Sequence, residues 1–349
     1  MKQKVTLRLF LPVLLACATL SAKATVFFND NFTTGSTTNG ISNPNGGATS
    51  YDIASTKNVV GQNFIVPGEF NFQLNGPSTS AFIEAQALFT NNPVTLALPG
   101  DFIDITIVFT NGTAAANTLF NGTASSLWIG LYDSGGTKPL AGDLANGGLS
   151  TVAGSAFATG NCANWKGYVA QMQSGGTSRY QTRAIQNVGG TASANQDLVA
   201  NNFGGGAYNQ PAATVIGTTP GTPTISLTPG GTYTAYYRIS VAGSSSLTFS
   251  NAIYAGPGTG GTLVFAATNN VFATNATYLT ANFDGLAIGT SAKTTSANPE
   301  MSISSITISG TVSPPPPPTI VTQPVSASVA TNGTCAFVIT TMGFGQTYQ

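Results

Sequence analysis

Residues 102–110 read Phe-Ile-Asp-Ile-Thr-Ile-Val-Phe-Thr. Ile103, Ile105, Ile107 and Phe109 fall on one side of this run, and Asp104, Thr106 and Val108 on the other. Successive side chains of an extended chain point to opposite faces, so a period of two predicts a strand with one buried face. Residues 126–133 repeat the pattern, with Leu127, Ile129 and Leu131 opposite Trp128, Gly130 and Tyr132. Residues 232–241 place Tyr233, Ala235, Tyr237, Ile239 and Val241 together. Three such runs, separated by Gly, Asn and Pro, set the expectation of an all-β chain.

Working outward, further strands are expected over 81–89, 168–173, 178–186, 247–250, 262–267, 278–285 and 301–312. In the last of these, Ile303 is out of step with Ile306 and Ile308, and a bulge near Ser304-Ser305 would restore a common face. No long stretch has helical period, and no fixed repeat of solenoid or propeller length occurs. Many short strands favour a two-layer sandwich. The stretch 187–220 is weakly patterned and reads as a long loop.

Composition agrees. Charged residues are 6% of the chain, against about 25% in typical soluble domains. Gly, Asn, Thr and Ser carry the polarity, which suits strands and turns more than helices. Histidine is absent, which removes Ser-His-Asp triads, Cys-His pairs and His-ligated zinc.

The N-terminus predicts export. Lys2, Lys4 and Arg8 precede a mainly apolar run over 9–20, and Ala22-Lys23-Ala24 fits a small-x-small cleavage site. Cleavage after Ala24 is the favoured reading. The alternative is a lipobox at Leu14-Leu15-Ala16-Cys17, with a lipid anchor on Cys17. Residues 1–24 hold four of the eleven basic residues and none of the eleven acidic ones, so seven basic residues remain against eleven acidic. A mildly acidic chain without a basic patch is not expected to bind nucleic acid. Of the remaining cysteines, Cys162 and Cys335 lie on opposite sides of a proline run, and no disulfide between them is expected.

That run, Pro314 to Pro318, should form a stiff polyproline spacer, and 313–318 is the expected linker. Beyond it, Ile320, Gln323-Pro324, Val329, Gly333, Phe337 and Tyr348-Gln349 resemble the opening of the Ig-like repeats of secreted bacterial proteins. Residues 319–349 are too few for an Ig domain of about 100 residues, so an incomplete Ig-like segment of a longer protein is expected. Cys335 falls too early to match the first core cysteine of many Ig domains.

Within 25–312, Phe27-Phe28-Asn29-Asp30-Asn31-Phe32 with Gly35 resembles the first strand of concanavalin-like and laminin-G-like jelly rolls. Phe283-Asp284-Gly285-Leu286-Ala287-Ile288-Gly289 and residues 303–310 resemble their closing strands. The resemblance implies one antiparallel jelly-roll β-sandwich whose first and last strands pair. It also implies a calcium site near the strand ends, with Asp30 and Asp284 as ligands.

The laminarinase-type relatives of that fold carry Glu-x-Asp-x-x-Glu on one strand. The pattern is absent here, Glu84 stands alone, and Asp101 and Asp104 would point to opposite faces. No catalytic role is therefore assigned. Sugars stack on exposed rings, and Trp165, Tyr168 and Tyr180 with Arg183 lie in a Gly/Ser/Asn-rich region, which makes them the candidate ligand-binding residues; both Trp128 and Trp165 could equally serve the core. The expected function is an extracellular, non-catalytic binding or adhesion module for polysaccharide or another cell-surface component. Two alternatives stay open: a purely structural stalk, and an accessory region of a larger glycan-degrading enzyme. An exposed aromatic platform would favour the binding module.

Overall fold

The computed structural model describes residues 24–33, 51–55, 65–73, 81–120, 125–137, 162, 165–183, 198–199, 213–218, 224–243, 246–273, 279–292, 300–313, 319–322, 331, 334 and 340–342. The expected export signal and most of the expected Ig-like segment lie outside these residues.

The architecture is an antiparallel β-sandwich of the jelly-roll type. One sheet has eight strands. Its path runs β14 (Thr262–Ala273), β13 (Ser246–Ala255), β12 (Thr232–Gly243), β7 (Phe102–Asn111), β17 (Glu300–Thr311), β4 (Glu69–Gln73) and β3 (Ile65–Val66). The first strand, β1 (Thr25–Asp30), pairs with β17 beside β4, Thr25 facing Gly310. The other sheet has seven strands: β11 (Ala213–Thr218), β10 (Arg179–Arg183), β9 (Lys166–Gln173), β8 (Ser126–Asp133), β16 (Gly285–Ala292), β5 (Ala81–Leu88) and β2 (Asp52–Ser55). Two short pairs complete the set: β6 (Val94–Thr95) with β15 (Asn282–Phe283), and, after the proline run, β18 (Thr319–Thr322) with β19 (Thr340–Met342).

Alternation decides the layers. Ile103, Ile105, Ile107 and Phe109 face inward from the eight-stranded sheet and meet Leu127, Ile129, Leu131 and Ile288 from the other, all within one buried cluster. Full burial of each such side chain contributes about 1.5–3 kcal/mol. In β17 the register slips between Ile303 and Ser305. That bulge puts Ile303, Ile306 and Ile308 on one buried face. At the β13–β14 connection Gly256 and Gly258 both have φ +87°, a left-handed conformation open to glycine at little cost.

Three expectations shift. The strand expected over 278–285 shrinks to the two-residue β15, and the long strand β16 begins only at Gly285; the Asp284 carboxylate between them is drawn to Ser134. The weakly patterned stretch 187–220 contains β11, an edge strand whose Val215 is 42% exposed. The core role expected for Trp128 resolves into burial on the outward side of β8, opposite Leu127 and Ile129.

Candidate functional site

The four candidate ligand-binding residues do not form a surface. Tyr168 and Tyr180 point into the core. The Tyr168 ring meets Phe249 of the facing sheet at a centroid distance of 5.0 Å. Its hydroxyl accepts from the Leu279 N–H at 2.8 Å and donates to the Thr280 carbonyl at 3.0 Å. Tyr180 stacks on Tyr237 at 6.5 Å and donates to Asn251 Oδ1 at 3.0 Å. Both rings are inter-sheet packing, because residues 168 and 180 fall on the inward phase of β9 and β10, directly across from Leu131 and Ala170.

Trp165 and Arg183 lie on the outward side of the seven-stranded sheet, but they are 0% and 1% exposed. The Trp165 ring lies over Gly285, where a Cβ would come within 2.6 Å of it. Tyr132 occupies the space left by Gly130 and Gly167 and lies 6.1 Å from Trp165. Three glycines on three neighbouring strands thus let two large rings lie against the sheet. The Trp165 indole N–H donates to Thr137 Oγ1 at 3.1 Å. The Arg183 guanidinium donates to the carbonyls of Trp165 and Cys162 at 2.6 and 3.1 Å. No face of these rings is open to a sugar, which corrects the expectation of a stacking platform here.

Beside them sits a residue the sequence left without a role. Glu84 is wholly buried on the outward side of β5. Its carboxylate accepts from the N–H groups of Leu198 and Val199 at 2.9 and 3.2 Å and from Gln86 Nε2 at 2.6 Å. The Cys162 thiol donates to Gln86 Oε1 at 3.2 Å, and burial pushes that thiol up to about 12. Tyr132 donates to the Leu198 carbonyl. Glu84 therefore pins Leu198 and Val199 over the sheet, and Arg183 pins Cys162 and Trp165. The legible signal was a strand alternating Ile83, Ala85 and Ala87 with Glu84 and Gln86.

The proposed calcium pair also changes. Asp30 Oδ1 accepts from the Phe32 N–H at 2.8 Å, a turn that holds Phe32 at φ +57° among Tyr51 and Phe70. Burial raises the Asp30 pKa, partly offset by Phe32 and Tyr51. The second oxygen, Oδ2, and the neighbouring Tyr51 hydroxyl interact electrostatically, but neither closes a hydrogen bond of standard geometry with the described residues. Asp284 belongs to another cluster. It accepts from the Ser134 N–H and hydroxyl, each at 2.7 Å. Burial raises its pKa, Ser134 opposes that, and the Asp133 charge adds to it. Asp133 in turn accepts from Thr280 Oγ1 at 2.9 Å and pairs with Lys166 at 3.5 Å. The two carboxylates have no described partner in common, and no three metal-ligating side chains gather among the described residues. Asp30 and Asp284 do not fit one calcium site.

The outer face of the eight-stranded sheet is different. Asp104 takes a two-pronged pair from Arg238, with Nε to Oδ1 and a terminal nitrogen to Oδ2 both at 2.6 Å. Tyr236 also donates to Asp104 Oδ1, at 3.0 Å. The Arg238 guanidinium lies over the Phe102 ring at 3.9 Å, an arrangement that adds cation–π attraction. Phe102, Tyr236, Arg238 and Tyr254 are half-buried, and Leu263 is 54% exposed.

Fold and site together define a jelly-roll β-sandwich whose seven-stranded sheet carries the buried Glu84 and Trp165 on its outward side and whose eight-stranded sheet presents half-buried rings on its own. No family model matches the chain, and no curated protein matches it. Solved structures similar to it include the exoplasmic/lumenal domain of VIP36 in a Ca2+/Man3GlcNAc-bound form, at 10% identity over 78% of this chain and 85% of that one, TM-score 0.34. Arcelin-5, a lectin-like defense protein from Phaseolus vulgaris, is 9% identical over 84% of this chain and 100% of that one, TM-score 0.37. An endo-1,3-beta-glucanase from Streptomyces sioyaensis is 10% identical over 84% and 98%, TM-score 0.37.

Proposed function

We propose that this chain is an exported, non-catalytic binding module that contacts carbohydrate through its sandwich and is carried on an Ig-like segment beyond the proline linker. The observation that carries it is the state of the carboxylates. Each acidic side chain whose contacts are described accepts at least one hydrogen bond from the scaffold, Asp30 through Oδ1 from the Phe32 N–H. Glu84 holds 198–199, Asp104 holds Arg238, Asp284 holds Ser134 and Asp133 holds Thr280. Asp101 accepts from Ala97, Leu98 and Ser313, while Ser302 donates to Glu69 and Gln73 to Glu300. A glycosidase presents two carboxylates to one bond, and these are spent elsewhere. The absence of histidine from the whole sequence narrows acid–base chemistry further.

A purely structural stalk is the second reading, favoured by one contact. Asp101 Oδ1 accepts from the Ser313 N–H at 2.8 Å and its hydroxyl at 2.6 Å. The residue before the proline run is thereby fixed to the sandwich.

Incubating the full chain with a panel of insoluble and soluble polysaccharides, followed by sedimentation or affinity electrophoresis, tests binding. Retention on at least one polymer without release of reducing ends is expected. No retention on any polymer rejects carbohydrate as the ligand, and release of reducing ends rejects the non-catalytic role.

A further inference from the structure

Strand pairing assembles the open face. Asp104 and Thr106 of β7 lie across from Arg238 and Tyr236 of β12. Tyr236 lies across from Ala252, and Thr234 from Tyr254, on β13. Tyr254 lies across from Leu263 on β14. Directly opposed residues share a face, so Phe102, Arg238, Tyr236, Tyr254 and Leu263 form one diagonal strip over four strands. Three inter-strand steps make it about 14 Å wide.

The strip is preorganised. The Tyr236 hydroxyl is tied to Asp104, so its ring leans from β12 toward β7. The Arg238 plane is fixed between Asp104 and Phe102. Side chains already held in place lose little freedom on binding. Charge then selects the occupant. Asp104 and Arg238 are the only charged residues in β7, β12, β13 and β14, and they neutralise each other. Hydroxyls flank the rings: Thr106, Ser250, and the Ser240–Thr248 pair at 2.6 Å. A surface with half-open rings, hydroxyls and no net charge suits a ligand with apolar C–H faces and many hydroxyls. It offers nothing to the phosphates of nucleic acid or to an acidic polymer.

Resting on the binding-module reading, we infer that this strip is the ligand site and that its occupant is a neutral polysaccharide chain, its sugar rings lying on Tyr236 and Tyr254. The test is equilibrium depletion of the full chain onto cellulose, chitin and an insoluble β-1,3-glucan, with alginate and heparin as acidic counterparts. Tyr254→Ala and Leu263→Ala should each keep the wild-type melting temperature within a few degrees. Tyr254→Ala should weaken retention about tenfold, the size of a lost ring contact of about 1.4 kcal/mol. Tyr236→Phe, which keeps the ring, should stay within about threefold of wild type. Wild-type retention that neither Tyr254→Ala nor Leu263→Ala alters would overturn the strip while leaving the binding reading standing. Retention on acidic polymers alone would overturn the neutral occupant. No retention on any polymer would overturn both. Self-association that Leu263→Ala abolishes, without polysaccharide retention, would identify the face as a contact between copies.

Discussion

Asp104 and Arg238 face each other across the β7–β12 ladder and close a two-pronged ion pair, both contacts at 2.6 Å. The carboxylate is mostly covered, while about a third of the arginine side chain meets solvent. Solvent screening therefore limits the pair. Asp104→Asn should lower stability by about 1 kcal/mol, since it also weakens the Tyr236 anchor. Arg238→Lys should cost a similar amount, because an ammonium lacks the planar fork. Urea denaturation measures both, and a double variant losing only what one single variant loses confirms the coupling.

Gly285 makes room for Trp165. In Gly285→Ala the new methyl would sit 2.6 Å from the indole, and neither ring nor strand can yield freely. The variant should lose about 1–3 kcal/mol. Gly260→Ala is the control, with nothing within 4 Å of the added carbon. Its thermal midpoint should match wild type.

Glu84 holds the cover of the seven-stranded sheet. Glu84→Ala leaves the buried N–H groups of Leu198 and Val199 without their acceptor, a loss of at least about 2 kcal/mol. Faster hydrogen exchange at Leu198 and Val199, with protection at Ile105 and Ile107 retained, would place the effect at the cover. Unchanged exchange there would contradict the pinning role.

Asp101 gives the chain an acid-sensitive joint. Burial by itself would raise its pKa, but donors from Ser313 Oγ, Leu98, Ala97 and the Ser313 N–H outweigh that and hold it below the ordinary aspartate range. A carboxyl depressed on folding contributes stability above its unfolded pKa, and that contribution is lost as pH falls through the folded value. Asp30 and Asp284 have the opposite sign. Their raised values give a contribution fully present below the unfolded pKa and lost as pH rises through the folded one. Asp101→Ala should therefore destabilise most at neutral pH and approach wild type in strong acid. Asp30→Asn should be neutral or stabilising at pH 7, since an amide oxygen can still accept from Phe32. Melting curves from pH 2 to 8 check both signs.

Much of the fold was legible because its signal is local. Alternation at 102–110 and 232–241 needs no knowledge of partners, and the β17 bulge follows from three isoleucines out of step. The site was not legible, because it depends on distant register. Trp165 is buried through a glycine 120 positions away in sequence. β9 carries Tyr168, Ala170 and Met172 on one face and Val169 on the other, so its pattern did not say which side was inside. Tyr236 and Tyr254 become neighbours only when the β12–β13 hairpin closes. Asp30 ends β1, which pairs with β17 in the eight-stranded sheet, whereas Asp284 precedes β16 in the seven-stranded sheet, so the pairing of first and last strands does not join the two carboxylates.

Hydroxyl-radical footprinting of the full chain, with and without the polysaccharide that retains it most strongly, locates the ligand directly. Tyr236, Tyr254 and Leu263 should be protected, while exposed Val215 on the seven-stranded sheet reacts as before. Protection at Val215, with Tyr254 and Leu263 still reactive, would contradict the open-face site.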